Sequence, residues 1–333
     1  MGPIKRNSRI LTAAMVGTAV EFYDFYVYAT AAALVFGPLF FPSESASAQL
    51  LLSLMSFGLA FFARPVGAIV FGHFGDRLGR KSTLVFSLML MGISTLLIAF
   101  LPTYQMVGWI APALLCVLRF GQGFGLGGEW GGAALLAVEN APKGWEARFG
   151  AAPQLGAPVG FLAANGLFLL LGIYLPDDAF NAWGWRIPFL LSAVLVALGL
   201  WVRLRIGETP AFKEALEKTP PHKMPLGAVV VHHWPALIAG CAGVVACFAI
   251  FYLSTAFALG HMTTERGVDR ETMLALQLAA NTFLAVGIVL SAVWSDQASP
   301  RNVLVAGALG TVLLGVMFGP LIAWGTLTEV FAL

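Results

Sequence analysis

Residues 72–81 read Gly72-His73-Phe74-Gly75-Asp76-Arg77-Leu78-Gly79-Arg80-Lys81 and separate two long apolar runs. The glycines permit a tight turn between two helices. The carboxylate of Asp76 can lie against a helix N-terminus, where negative charge is favoured. The cations that follow remain in water, so the turn lies at a polar boundary. The stretch therefore predicts two antiparallel helices joined by a short polar turn.

The apolar runs on either side belong to a chain that is poor in charge. Of its 333 residues, 59% are hydrophobic and 11% are charged, whereas soluble domains carry about 25% charged residues. A soluble core would leave much of this apolar surface exposed, and a lipid bilayer removes that problem. Because about 20 apolar residues cross a bilayer, the runs predict an all-α, polytopic membrane protein. The nine predicted spans lie at about 10–36, 50–73, 82–101, 108–138, 149–174, 187–204, 235–259, 273–294 and 302–325.

The distribution of lysine and arginine predicts how these spans are oriented. With the N-terminus in the cytoplasm, 14 of the 19 basic residues fall on the cytoplasmic side and three fall outside. This bias is the one that the positive-inside rule describes. A charged linker at 205–234 divides a six-helix bundle, residues 1–204, from three helices in residues 235–333.

A weak internal repeat relates the two parts of the chain. Ser295-Asp296-Gln297-Ala298-Ser299-Pro300-Arg301 follows the eighth span as residues 75–81 follow the second. Parallel repeats of six helices build a large class of transporters. The second repeat would stop after its third helix, so we expect a truncated chain with nine of twelve helices.

At least five charged residues lie inside the predicted spans and away from their ends: Glu21, Asp24, Arg64, Arg119 and Glu129. Each costs about 2.5–3.5 kcal/mol at the centre of a spanning helix, so such residues usually pair and face a polar cavity. Their depths along the helices suggest one group of Asp24, Glu21 and Arg119 and a second group of Arg64 and Glu129. Two interpretations stay open: static ion pairs that hold helices together, and carboxylates that take up a proton beside a cation.

Small and amide residues mark the fourth and fifth spans. Seven glycines lie in residues 119–132, and glycines let membrane helices approach closely. Gln154 and Asn165 lie near Gly156 and Pro158 in the next span, a pattern that favours a helix lining water. Gln277 and Asn281 in the eighth span are weaker candidates, because interhelical hydrogen bonds alone explain them.

The sequence resembles a known family of transporters. Residues 72–81 resemble the loop between helices 2 and 3 of the major facilitator superfamily, and Arg119 with Gln122-Gly123 resembles its fourth-helix motif. The finer resemblance is to the metabolite:H+ symporter family, and within it to shikimate and other organic-acid transporters. Five blocks carry it: Glu21-Phe22-Tyr23-Asp24-Phe25-Tyr26, Arg64-Pro65-Val66-Gly67, Gly127-Gly128-Glu129-Trp130-Gly131-Gly132, Trp183-Gly184-Trp185-Arg186-Ile187-Pro188-Phe189 and Glu208-Thr209-Pro210-Ala211-Phe212.

The resemblance implies proton-coupled symport of a small metabolite by alternating access. On that basis three sets of residues receive expected roles. Proton and substrate coupling is expected of Glu21, Asp24, Arg119, Glu129 and Arg64. Substrate contacts are expected of Tyr23, Gln122, Trp130, Gln154 and Asn165. A cytoplasmic gate is expected of Gly72, Asp76, Arg77, Gly79, Arg80 and Lys81.

Other functional classes are weighed against transport. No Ser/His/Asp cluster, HExxH motif or phosphate loop predicts an enzyme, and no cofactor or metal is implied, because the three cysteines lie singly inside apolar runs. A truncated, transport-dead protein that acts as a sensor remains a rival, as does a zwitterionic substrate such as proline or betaine. The expected partners are a small solute, protons and the lipid of the inner membrane, with no nucleic acid.

Overall fold

The structure is a computed structural model that describes residues 7–78, 80–127, 137–205 and 232–326. Within these ranges the regular structure is helical. Thirteen α-helices follow one another in the described part of the chain: Ser8–Leu34 (α1), Phe36–Phe40 (α2), Ala46–Leu78 (α3), Arg80–Ile98 (α4), Tyr104–Val107 (α5), Ile110–Leu126 (α6), Glu146–Tyr174 (α7), Asp177–Ala182 (α8), Ile187–Arg205 (α9), Trp234–Tyr252 (α10), Ala258–Thr264 (α11), Arg270–Gln297 (α12) and Pro300–Trp324 (α13). A 3-10 turn, Gly184–Arg186, precedes α9, and a π-helical turn, Leu253–Phe257, joins α10 to α11.

Each of the nine predicted spans coincides with a helix in the described ranges. The fourth is described only as far as the end of α6, because residues 128–136 lie outside those ranges. In the part of the chain that the structure describes, six helical stretches are long and apolar enough to cross a membrane: Ala46–Phe74, Glu146–Tyr174, Gly184–Trp201, Trp234–Thr264, Arg270–Gln297 and Pro300–Trp324. The predicted all-α membrane fold is therefore confirmed. The division at 205–234 stays a prediction, since residues 206–231 are also outside the description.

The first helix organises the bundle. α1 has 27 residues, so it is about 40 Å long and exceeds the roughly 30 Å hydrocarbon thickness. It packs along α7 and also contacts α3 and α9, while α6 lies between α3 and α4. α12 also packs along α7. The residues from Tyr23 to Ala33 are buried, so the middle of α1 faces protein rather than lipid.

Glycines allow the backbones of α3 and α6 to touch. A Cβ at Gly67 would lie 2.0 Å from the carbonyl oxygen of Phe124, and one at Gly127 would lie 2.2 Å from that of Arg64. Gly156 and Gly160 also bring α7 against the backbone of α1, where an added Cβ would lie 2.7 Å from a carbonyl oxygen. The glycine-rich pattern of the fourth span thus serves close helix packing, as expected for association in lipid.

The block at residues 183–189 is an aromatic anchor near one end of the bundle. The Trp185 ring lies 5.5 Å from that of Phe36 and 5.9 Å from that of Phe189, both nearly perpendicular to it. Edge-to-face pairs of this kind are favourable beyond the area they bury. Arg186 donates to the carbonyl oxygens of Ala182 and Leu101. The block therefore joins the start of α9 to the segments after α1 and α4.

The close approach of α3 and α6 predicts that Gly67 tolerates no side chain. Gly67→Ala should lower the free energy of unfolding by about 1–3 kcal/mol, because a methyl group would meet a backbone oxygen that cannot move aside. Gly58→Ala on the same helix is the matched control, since nothing lies within 4 Å of its added Cβ. The thermal unfolding temperature of the purified protein in detergent should fall only for Gly67→Ala. Equal temperatures for the two variants would contradict the packing described above.

The predicted orientation is tested by labelling single cysteines in a variant that lacks Cys116, Cys241 and Cys247. Glu44 lies between α2 and α3, Lys143 lies between α6 and α7, and both side chains are exposed. With the N-terminus inside, a membrane-impermeant thiol reagent should label Glu44→Cys in intact cells. It should label Lys143→Cys only after the membrane is opened. The reverse pattern would refute the orientation.

Candidate functional site

A buried network of hydrogen bonds surrounds the carboxylate of Asp24. Ser192 of α9 donates to its Oδ1, and Thr95 of α4 lies 3.2 Å from its Oδ2. The Thr95 hydroxyl also lies 2.9 Å from the carbonyl oxygen of Met91. Because a hydroxyl carries one hydrogen, Thr95 can donate to only one of the two acceptors at a time. The carboxylate thus connects three helices, and its side chain has no solvent exposure.

Arg119 joins this network through Gln122. The amide nitrogen of Gln122 donates to Thr95 Oγ1 at 2.7 Å and to the backbone oxygen of Asp24 at 3.2 Å. Its amide oxygen accepts from Nη1 of Arg119, whose Nε donates to the carbonyl oxygen of Phe57 at 3.3 Å. The structure thus brings Asp24, Gln122 and Arg119 together, with Gln122 and Thr95 between the two charges in place of the direct contact that the sequence suggested.

Aromatic rings surround the guanidinium group of Arg119. Its Cζ lies 4.3 Å from the ring centre of Phe25, 4.1 Å from that of Tyr28 and 4.6 Å from that of Phe57. Each ring face carries negative charge density and attracts the cation, more strongly where water is excluded. The residue is fully buried, and these rings offset part of the cost of that burial.

A second cation, Arg64, lines a cavity together with Glu21. The cavity has a volume of about 320 Å³, and its other walls are apolar, including Phe22, Phe61 and Phe248. Arg64 interacts electrostatically with Glu21. Its Nε is buried without a hydrogen-bond partner in the described part of the chain.

The ring of Phe25 contacts both cations. Its centre lies 4.5 Å from Cζ of Arg64 and 4.3 Å from that of Arg119. The suggested partner of Arg64, Glu129, lies outside the described residues, as does Trp130. Among the described residues, the carboxylate that shares the cavity with Arg64 is Glu21.

Most of the remaining substrate candidates form bonds between helices. The hydroxyl of Tyr23 donates to the carbonyl oxygen of Pro188 at 2.9 Å, and the Oδ1 atom of Asn165 accepts from Thr30. Both Tyr23 and Asn165 are buried, whereas Gln154 is half-buried on α7. Tyr23 and Asn165 thus connect helices and are not part of the cavity wall.

The weaker amide candidates also connect helices. Gln277 donates to the carbonyl oxygens of Ser254 and Thr255, which belong to the π-helical turn. Asn281 donates to the carbonyl oxygen of Pro158 at 2.8 Å.

Residues 75–81 lie where α3 ends at Leu78 and α4 begins at Arg80, and their gate role stays a prediction. Gly72 is exposed near the end of α3. Gly79 and the side chains of Asp76, Arg77, Arg80 and Lys81 lie outside the described part of the chain.

The second copy of the turn motif is described, and its aspartate binds the start of α7. Asp296 lies 2.6 Å from Nε of Arg148 and accepts from the backbone N–H groups of Ala147 and Arg148 at 2.8 and 3.1 Å. A carboxylate at a helix N-terminus receives unpaired N–H groups and complements the helix dipole. This contact joins α12 to α7 at the end that the charge distribution predicts to be cytoplasmic.

The opposite end of the same helix pair carries another ion pair. Nη2 of Arg270 lies 2.8 Å from a carboxylate oxygen of Asp177, and its Nε lies 2.6 Å from Glu271. The guanidinium group also lies over the Phe180 ring, 4.0 Å from its centre. α12 is thus held near α7 at both ends.

Sequence analysis did not identify Thr95, Ser192 and Asp296 as parts of these sites. Thr95 and Ser192 are single hydroxyl groups in apolar runs, which most often bond to their own helix. Asp296 could have been identified from its place in the internal repeat. Within the described ranges, no group of three or more His, Cys, Asp or Glu residues has an arrangement that could hold a metal ion.

Comparison with known proteins reveals relatives along nearly the whole chain. A family model described as "Sugar (and other) transporter" matches residues 10–219. The inner membrane metabolite transport protein YhjE of Escherichia coli K12 is 45% identical over 335 residues, which cover 99% of this chain and 76% of that protein. The shikimate transporter of the same organism is 40% identical over 308 residues, covering 92% of this chain and 70% of its own length.

A solved structure shares the fold. The partially occluded, inward-open xylose transporter XylE of E. coli superposes with a TM-score of 0.64 at 17% identity, over 87% of this chain and 71% of that one. At this identity the similarity concerns the fold alone.

Proposed function

Since the chain belongs to the metabolite:H+ symporter family of the major facilitator superfamily, whose members are membrane transporters and not enzymes, we propose that it carries a small organic acid across the inner membrane together with a proton. One observation carries the proposal: the fully buried carboxylate of Asp24 is connected to the equally buried Arg119 through Thr95 and Gln122. A buried charge of this kind in a membrane helix is a functional group by default, because it is costly to keep for stability alone.

The network explains how a proton could move helices. A proton on Asp24 removes the negative charge that receives the hydroxyl groups of Ser192 and Thr95. Hydrogen bonds to an ionised acceptor are about twice as strong as those to a neutral one. Protonation therefore loosens contacts of α1 with α4 and α9, and Thr95 passes the change to Gln122 and Arg119.

The ion pairs of α12 with the start of α7 and with the start of α8 fit alternating access. Opening the cavity at the Asp296 end separates Asp296 from Arg148, and opening it at the other end separates Arg270 from Asp177. Rocking of one helix bundle against the other exposes a central site to each side in turn. Asp296 is the repeat counterpart of Asp76, for which we propose the same role in the first half.

The proposed substrate class rests on the relatives and on the cavity. A relative that is 40% identical is named a shikimate transporter, and the cavity presents the cation Arg64 among apolar side chains. Uptake of radiolabelled shikimate by proteoliposomes, with the outside made acidic, tests the proposal. We expect accumulation above the external concentration that collapses when a protonophore is added. Shikimate uptake that is unchanged by both the proton gradient and the protonophore would refute proton symport.

Asp24→Asn should separate binding from accumulation. The amide imitates the protonated acid and cannot release a proton, so proton-driven accumulation should fall to the level reached without a gradient. Exchange of internal for external shikimate should continue, because it needs no net proton movement. Asp178→Asn, at an exposed position of α8, is the control and should accumulate shikimate as the parent does. An Asp24→Asn protein that accumulates shikimate normally would place the coupling group elsewhere.

Asp296→Asn should slow transport while leaving substrate binding nearly unchanged. The substitution removes the charged partner of Arg148, which weakens the closed form by about 1.5–3 kcal/mol. The initial uptake rate should fall several-fold, whereas the equilibrium Kd for shikimate should change little, because Asp296 lies outside the cavity. The same Asp178→Asn variant serves as the control. A large loss of binding with a normal rate would contradict a role in opening and closing.

A further inference from the structure

The arginines of the two groups, Arg64 and Arg119, differ in what they can bind. Arg119 is enclosed by three rings and donates to Gln122 and to the carbonyl oxygen of Phe57. Arg64 lines the cavity, and its buried Nε has no hydrogen-bond partner among the described residues. An unsatisfied buried donor on a cation costs more than one on a neutral group. Among the described residues Nη2 of Arg119 also lacks a hydrogen-bond partner, but that side chain is fully buried and is not part of the cavity lining. Of the two, Arg64 is therefore the one available to a solute.

The surroundings of Arg64 fix the kind of group it can receive. Its guanidinium carbon lies 4.5 Å from the ring centre of Phe25 and 5.5 Å from that of Phe61, so these rings occupy space around the planar group. The N–H groups at the edge of a guanidinium form a fork that matches a carboxylate. A carboxylate that enters the cavity can thus satisfy the unpaired donor directly.

The charges around the cavity limit the ligand to one carboxylate. Its described lining contains one cation, Arg64, and one acidic side chain, Glu21, and the other residues are apolar. A second carboxylate on the ligand would face Glu21 or apolar walls such as Phe248 and Leu126. Like charges in such a site repel, and an unpaired charge among apolar groups is expensive. The apolar walls suit the carbon skeleton, and a volume of about 320 Å³ fits a small metabolite.

We propose that Arg64 binds the single carboxylate of the transported acid and that Glu21 rejects a second one, so that the cavity selects monocarboxylates over dicarboxylates. The inference rests on the proposed transport function and names the substrate class of the same site. Arg64 and Glu21 are then the residues that determine specificity, whereas Asp24 and Arg119 serve proton coupling.

The first test needs no substitution. Binding of labelled shikimate to the purified protein is measured in competition with unlabelled shikimate, benzoate, methyl shikimate and succinate. Shikimate and benzoate each carry one carboxylate, the ester carries none and succinate carries two. Methyl shikimate and succinate should need at least about 10-fold higher concentrations than shikimate to displace the label, the loss expected for a charged hydrogen-bonded pair. Equal competition by succinate or by the ester overturns the proposal, as does an absence of saturable binding of both monocarboxylates.

The second test uses variants of the two specificity residues. Arg64→Gln should weaken shikimate binding at least about 10-fold, and Arg64→Lys should bind with intermediate affinity and still prefer the acid to its ester. Arg301→Gln, the same change at an exposed position of α13, should bind like the parent. Glu21→Gln should narrow the difference between shikimate and succinate by strengthening succinate binding. If Arg64→Gln does not fold, as judged by thermal unfolding, Arg64→Lys and the competition series decide.

The outcomes separate this inference from the proposed function. Shikimate binding that depends on Arg64, without proton-driven uptake, would contradict symport and leave the recognition of a single carboxylate intact. Proton-driven uptake by Arg64→Gln with unchanged shikimate affinity would support symport and overturn the role of Arg64.

Discussion

The ring of Phe25 lies against two guanidinium groups, one fully buried and one lining the cavity, and this contact constrains the rest of the bundle. Arg64 and Arg119 approach the ring centre to 4.5 and 4.3 Å. Two cations so close together repel, and one aromatic ring offsets only about 2 kcal/mol of the cost where it is desolvated. The remaining compensation comes from the two carboxylates on the same turn of α1, Glu21 and Asp24. A single turn of one helix therefore carries the anions and the ring that make both cations tolerable, which explains why the middle of α1 is buried on all sides.

The two carboxylates differ in their surroundings although three positions separate them. Asp24 faces the hydroxyl groups of Thr95 and Ser192 and is sealed from the cavity by protein, whereas Glu21 lines the cavity beside Arg64. A sealed acid exchanges its proton through rearrangement of its neighbours, and an acid in a cavity competes with a solute for the nearby cation. In the proposed mechanism, the proton binds Asp24 and the solute binds beside Glu21, three positions away on the same helix. The Phe25 ring contacts the cations of both sites, so the proton and the solute influence each other over a short distance.

The apolar runs and the glycine spacing were sufficient to predict the spans and the tight crossing of the fourth helix, because both depend on the sequence of one helix at a time. The site was predicted only in part. The position of each residue along its helix placed Arg119 near Asp24, but it did not give the direction in which either side chain points around the helix axis. The hydrogen-bonded link through Gln122 was therefore not predicted. Thr95 could not be distinguished from a hydroxyl that bonds to its own helix, and it does lie within reach of the carbonyl oxygen of Met91. Contacts that depend on two or three helices at once leave no periodic signal in any one of them.

The contacts of α7 explain how one helix can be both fixed and mobile. On its α1 side, Gly156 and Gly160 bring the two backbones into contact, which favours movement of α1 and α7 as one body. On its α12 side, the described polar contacts lie near the ends and at Asn281, and the end contacts differ in strength. The carboxylate of Asp296 is 3% exposed and receives an arginine and two backbone N–H groups, whereas that of Asp177 is 82% exposed. An exposed ion pair contributes about 0–1 kcal/mol and a shielded, multiply bonded one contributes more. The Asp177 end should therefore separate at lower cost, and we expect the resting protein to open more readily on that side, which the charge distribution predicts to be the outside.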